Sequence, residues 1–122
     1  MKYILALSLC VVTSLAQAQS SNLGQRWSAG STFRGDSGNT IKINSIRASV
    51  SGGSCVIVQK NVDTGTGYQM TNTMTLAASP KDGGHLCSGG TWLTVGADGR
   101  QFSGNSSANL FIKAGAVYSV RR

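Results

Sequence analysis

The chain has 122 residues, 40% of them apolar and only 12% charged, enough for one domain with a modest core. Eleven Lys and Arg stand against four acidic residues, all Asp, for a formal charge of +7. Such a balance favours anionic partners such as lipopolysaccharide, acidic glycans or extracellular DNA, although a scattered positive charge also serves simply to keep a small domain soluble. The absence of Glu and the presence of 16 Gly argue against a helical architecture.

The chain opens with Lys2, an uncharged apolar stretch from Ile4 to Leu15, and the small-x-small sequence Ala16-Gln17-Ala18. In that order these are the parts of a secretory signal peptide over residues 1–18. A dozen apolar residues are too few to cross a bilayer as a helix. Cys10 follows Leu9 inside the apolar run, which does not suit a lipoprotein site. Cleavage after Ala18 leaves a single β-rich domain over 19–122, destined for the periplasm or for secretion, with no further stretch of membrane-spanning length.

The first clear strand is Thr40 to Ser51. Ile41 and Ile43 share one face, while Ile46, Ala48 and Val50 share a face one residue out of phase, so a bulge is expected near Asn44-Ser45. Ser51-Gly52-Gly53-Ser54 reads as a turn into a strand from Cys55 to Val62, which makes a hairpin. After the turn Asp63 to Gly67, the stretch Tyr68 to Ala77 alternates: Met70, Met74 and Leu76 on one face, and Gln69, Thr71, Thr73 and Thr75 on the other. Pro80 to Gly84 is expected to be a loop before His85-Leu86-Cys87. Thr91 to Val95, a brief pairing at Gln101-Phe102, Asn109 to Ala114 and Ala116 to Val120 complete the reading. The expected fold is all-β: a small antiparallel β-sandwich or barrel of about seven or eight strands with one disulfide.

Loss of Cys10 with the signal leaves Cys55 and Cys87, which allow one intramolecular pairing in an oxidising compartment. The bond closes a loop of roughly 33 residues and is worth about 3–4 kcal/mol in the chain-entropy model. A metal pair is disfavoured, because there is no CxxC and His85 is the one available nitrogen ligand. Neither a metal nor a cofactor is expected.

Candidate catalytic groups are few. Gly35-Asp36-Ser37-Gly38 matches the tetrapeptide around a serine-protease nucleophile, but the only histidine follows the serine, and the chain is too short for that family's two barrels. The four aspartates lie in or near Gly-containing turns, where they supply local backbone hydrogen bonds. A carboxylate pair such as Asp82 with Asp98 is not singled out by its spacing. The aromatic residues Trp27, Trp92, Tyr68 and Tyr118 are better candidates, since aromatic faces stack on sugars and anchor interfaces. Trp92 is expected to lie mostly buried against the disulfide and Tyr68 more exposed. Together with the hydroxyl row Thr71, Thr73, Thr75 and the cation Lys60 on the neighbouring strand, Tyr68 marks one candidate binding surface, with Tyr118 on the last strand as the competing one.

Two short segments carry a resemblance. Leu86-Cys87-Ser88-Gly89-Gly90-Thr91-Trp92 resembles the Cys-x-(Ser/Asn)-Gly-x-Trp segment of shufflon-type tip adhesins of conjugative type IV pili. Ala114-Gly115-Ala116-Val117-Tyr118-Ser119-Val120 is similar to the Ala-Gly-Ala-x-Tyr-x-Val ending of terminal β domains of phage tail fibres. The chain departs from both: a tail fibre carries no export signal, and a pilus adhesin carries a prepilin leader and a long N-terminal helix. What the resemblance implies is a surface-recognition module. The functional expectation is therefore an exported, non-enzymatic binding module for a surface glycan, a pilus or secretion component, or a protein partner. The alternative is a small secreted effector or hydrolase inhibitor; nucleic acid is not the expected ligand.

Overall fold

The computed structural model describes residues 23–35 and 37–120. The expected signal peptide and its cleavage site lie outside the described residues. Eight strands follow one another: β1 (Leu23–Trp27), β2 (Thr32–Arg34), β3 (Thr40–Ser51), β4 (Ser54–Asp63), β5 (Gln69–Lys81), β6 (Gly84–Gly96), β7 (Gln101–Lys113) and β8 (Ala116–Val120). They form one antiparallel sheet in the order β1-β8-β7-β6-β5-β4-β3-β2. From β2 to β8 this is a plain meander.

The two outermost strands are consecutive in the chain. Only Ser28 to Ser31 separates β1 from β2, a link that reaches about 18 Å at most. Eight strands laid flat would hold their edges about 34 Å apart. The sheet is therefore rolled up, and the segment from 23 to 34 closes it by pairing first with β8 and then with β3. The Gly30 N–H donates to the Ile43 carbonyl at 2.7 Å and the Ile43 N–H to the Ser31 carbonyl at 2.8 Å, so pairing with β3 continues into the link. The result is a small barrel.

Three hairpins use two-residue turns with both central φ angles positive: Gly52-Gly53 (57°, 79°), Asp82-Gly83 (50°, 78°) and Ala114-Gly115 (51°, 77°). This turn geometry matches the twist of the flanking strands, which lets them pair up to the turn itself. It also corrects the expected loop from Pro80 to Gly84. Pro80 is part of β5, in register with His85, and only Asp82 and Gly83 turn. Proline is tolerated there because β4 pairs with β5 only as far as Ala77, so the missing N–H faces no neighbour on that side.

Two further expectations were too short. His85–Cys87 and Thr91–Val95 belong to the one strand β6, which continues through a register shift between Ser88 and Gly90. Gln101-Phe102 and Asn109–Lys113 are the two ends of β7. The intervening Ser103-Gly104-Asn105-Ser106-Ser107-Ala108 has little intrinsic strand preference and is extended because it pairs with β6. The bulge in β3 lies where expected, between Ile43 and Ser45.

The interior divides in two. At one end Cys55, Ile57, Met74, Leu76, Cys87, Leu110, Ile112 and Val117 form a closed apolar core, with Trp27, Ile46 and Trp92 packed against it. Cys55 on β4 and Cys87 on β6 are bonded and fully buried. They lie two strands apart, yet their Cα atoms are separated by 6.0 Å, well short of the ~9.5 Å across two flat strand spacings. Bulges in β5–β6 and β6–β7 curl the sheet sharply enough to bring them together. Trp92 is half-buried rather than enclosed: it touches this core and lies across Gly104, where a Cβ would come within 3.0 Å of the indole.

A candidate binding cleft

The other end of the barrel is open. Strand β8 covers only Leu110–Lys113 of β7, while β2 pairs with Thr40–Lys42 of β3 at the open end. The inward faces of the long strands β4 to β7 consequently run on past the closed part and line a cleft of about 400 Å³. Its aromatic walls are Phe33, Trp92 and Phe102. Phe33 is fixed by stacking on Trp27, with ring centroids 6.0 Å apart and planes 7° from parallel. Phe102 is half exposed at the lip (51%).

Asn61, Asn72 and Thr94 add polar groups to a lining that also holds Ile41, Met70 and Met74, and the register explains their placement. Gln59 on β4 is opposite Asn72 on β5, which is opposite Thr94 on β6, which is opposite Phe102 on β7. Cross-strand partners share a face, so three hydrogen-bonding side chains form a row. The Thr94 hydroxyl donates to Asn72 Oδ1 at 3.0 Å, Asn72 Nδ2 approaches Gln59 Oε1 at 3.5 Å, and Asn61 Nδ2 donates to the same oxygen at 3.1 Å. Gln59 and Asn61 are 0% and 2% exposed. Gln59 Nε2 and Asn61 Oδ1 find no partner among the described residues. Exchanging the amide ends along the row still leaves one donor and one acceptor unpaired. Each such buried group costs about 1–3 kcal/mol, whereas leucine at these inward positions would extend the apolar core.

Around the mouth, two aspartates tie turns in place. The Asn39 amide donates to Asp63 at 2.7 Å, and the Gly65 N–H donates to the other carboxylate oxygen at 2.8 Å. These bonds, Asn39 foremost, hold the Asp63 carboxyl below its ordinary pKa. The Tyr68 hydroxyl donates to Asp98 at 2.7 Å. That bond lowers the Asp98 pKa, helped by the Arg100 N–H, and raises that of the Tyr68 phenol. Arg34 Nη1 donates to the Gly38 carbonyl at 3.2 Å on the cleft rim.

The residues singled out by sequence separate into three places. Lys60, Thr71, Thr73 and Thr75 do share one surface: Lys60 is directly opposite Thr71, on the outer face of β4–β5. Tyr68 does not join them. It folds over Gly96 with its hydroxyl on Asp98 and is half-buried at the barrel mouth. Tyr118 is on β8 between Arg26 and Phe111, at the far side of the barrel. The cleft floor was missed altogether. Its signal was present as a loss of apolar character at inward positions: Cys55 and Ile57 give way to Gln59 and Asn61, Leu76 and Met74 to Asn72, and Trp92 to Thr94.

No metal-binding group of three or more His, Cys, Asp or Glu occurs among the described residues, and no described helix is long and apolar enough to cross a membrane. No protein-family model, curated protein or solved structure matches the chain.

Proposed function

We propose that the protein is an exported, non-enzymatic binding module that receives a neutral segment of a surface glycan in the cleft of its barrel. One observation carries this reading: Asn61, Asn72 and Thr94, hydrogen-bonded to one another or to the buried Gln59 behind them, place uncharged donors and acceptors in a cleft walled by aromatic rings. Sugars present hydroxyls that both donate and accept, together with apolar C–H faces. Amides and hydroxyls answer the first, and exposed rings such as Phe102 the second. The buried disulfide is consistent with an oxidising compartment, and the leader over 1–18 supports export to the periplasm or beyond. The inhibitor alternative gains nothing from the three hairpins with two-residue turns, which offer no projecting loop to plug an active site.

Titration of a panel of neutral oligosaccharides, followed by amide NMR, tests the proposal. Saturable shifts should centre on Asn72, Thr94 and Phe102. Asn72→Ala and Phe102→Ala should each weaken binding about tenfold, equivalent to ~1.4 kcal/mol, while melting within a few degrees of the parent. Binding that survives both substitutions, or shifts confined to the outer sheet face, would place the ligand elsewhere.

A further inference from the structure

The outer face of β3 and β4 carries a second, separate surface. Lys60 is in register with Ser45 and Arg47 with Val58, so Arg47 is the diagonal neighbour of Lys60. Lys42 is in register with Val62, which makes it the diagonal neighbour of Lys60 on the other side, across the bulge between Ile43 and Ser45. Diagonal positions on one sheet face are about 7–8 Å apart. Three exposed cations thus form an uninterrupted line, Lys42–Lys60–Arg47. Arg34 on β2 extends it towards the cleft rim, being one row from the Thr32–Lys42 pair.

No acid among the described residues interrupts this line. Asp63 turns to Asn39 and the Gly65 N–H, Asp82 sits in the β5–β6 turn, and Asp98 is held by Tyr68. The one ion pair among the described residues is Arg100–Asp98, elsewhere on the barrel. Neighbouring like charges repel, and a sheet face under selection for stability alone intersperses opposite signs. Such a breach of local rules marks a functional surface. The bulge adds to the effect by presenting Asn44 and Ser45 side by side, both exposed, next to Lys60. On the other flank Thr71, Thr73 and Thr75 supply a row of hydroxyls.

We infer that this face binds an acidic polysaccharide, its carboxylates lying along Lys42–Lys60–Arg47 and its hydroxyls against the threonine row. The absence of aromatic side chains from this stretch of face decides against single-stranded nucleic acid, which binds by stacking bases on rings as well as by charge. The outward-facing uncharged side chains across β3 to β6 here are Asn, Ser, Thr, Val and Leu instead. The site is independent of the cleft.

The test uses a short polygalacturonate as probe, by calorimetry at low and at high salt. Lys42→Gln/Lys60→Gln is compared with Lys81→Gln/Lys113→Gln, which removes the same charge at the opposite end of the barrel. The first pair should weaken binding at least tenfold at low salt, and the second by no more than twofold. The salt dependence should also flatten by roughly 0.7–0.9 in log–log slope for each cation removed from the line, by analogy with phosphate contacts. Phe102→Ala should leave this binding unchanged, which separates it from the cleft. Equal losses in the two pairs would reduce the effect to net charge and overturn the inference. So would tighter binding of a single-stranded oligonucleotide of the same charge, or no binding of the probe at low salt.

Discussion

Tyr68 and Asp98 show how one hydrogen bond at the surface sets the behaviour of a turn. The phenol closes over Gly96, which has no side chain to obstruct it, and donates to a carboxylate that also receives the Arg100 N–H. The bond stabilises ionised Asp98 and neutral Tyr68 together. The Asp98 share is therefore present above the ordinary carboxylate value of about 3.9 and is lost as pH falls through its lowered folded value. The Tyr68 share is present below about pH 10 and is lost as pH rises through its raised folded value. In a spectrophotometric titration, the phenolate step that disappears in Tyr68→Phe should move to lower pH in Asp98→Asn. An unmoved step would show that the bond does not form in solution. The adjacent Arg100–Asp98 contact, at 3.7 Å between exposed groups, adds little of its own.

At the scale of the element, β7 has two different halves. Leu110–Lys113 is covered by β8, but among the described residues 101–109 pair on one side only, with β6. An open edge of that length invites pairing with another chain. The composition of this half answers the risk: Ser103, Asn105 and Ser107 are exposed and polar, and Gly104 packs beneath Trp92. The same choice of residues hid the strand from a propensity-based reading. Replacing Ser103 and Asn105 together with valine should increase self-association, seen as a rise in mass by light scattering at tens of micromolar protein. Lysine at both positions should not. Equal behaviour of the two variants would mean that the edge is protected by something other than side-chain polarity.

For the whole molecule, the closed apolar end must hold the barrel together while the open end carries unpaired amides. The buried disulfide pins β4 to β6 within that closed end. Its loss should cost about 3–4 kcal/mol, which in a domain of this size corresponds to a fall in melting temperature of about 12–30 °C. Thermal melts with and without reductant, alkylating the freed thiols, measure it. A fall below about 5 °C would show that packing alone closes the barrel.

Much of the fold was legible locally. Alternation in Thr40–Ser51 and Tyr68–Ala77, the phase slip at Asn44-Ser45, and the pairing of Cys55 with Cys87 depend on neighbouring residues or on simple counting, so composition and spacing determined them. Thr71, Thr73 and Thr75 could likewise be placed on one face, because parity within a strand is a property of sequence, whereas the pairing that sets Lys60 beside them is not. Tertiary structure alone decided the rest. Whether Ser103–Ala108 is extended depends on β6 beside it, and closure of the barrel depends on a short N-terminal segment reaching two edges far apart in sequence. The cleft floor required both: Gln59, Asn72 and Thr94 become a row only when three strands adopt one register, and Lys42 and Arg47 flank Lys60 only because the β3 bulge preserves the outward phase on either side of it.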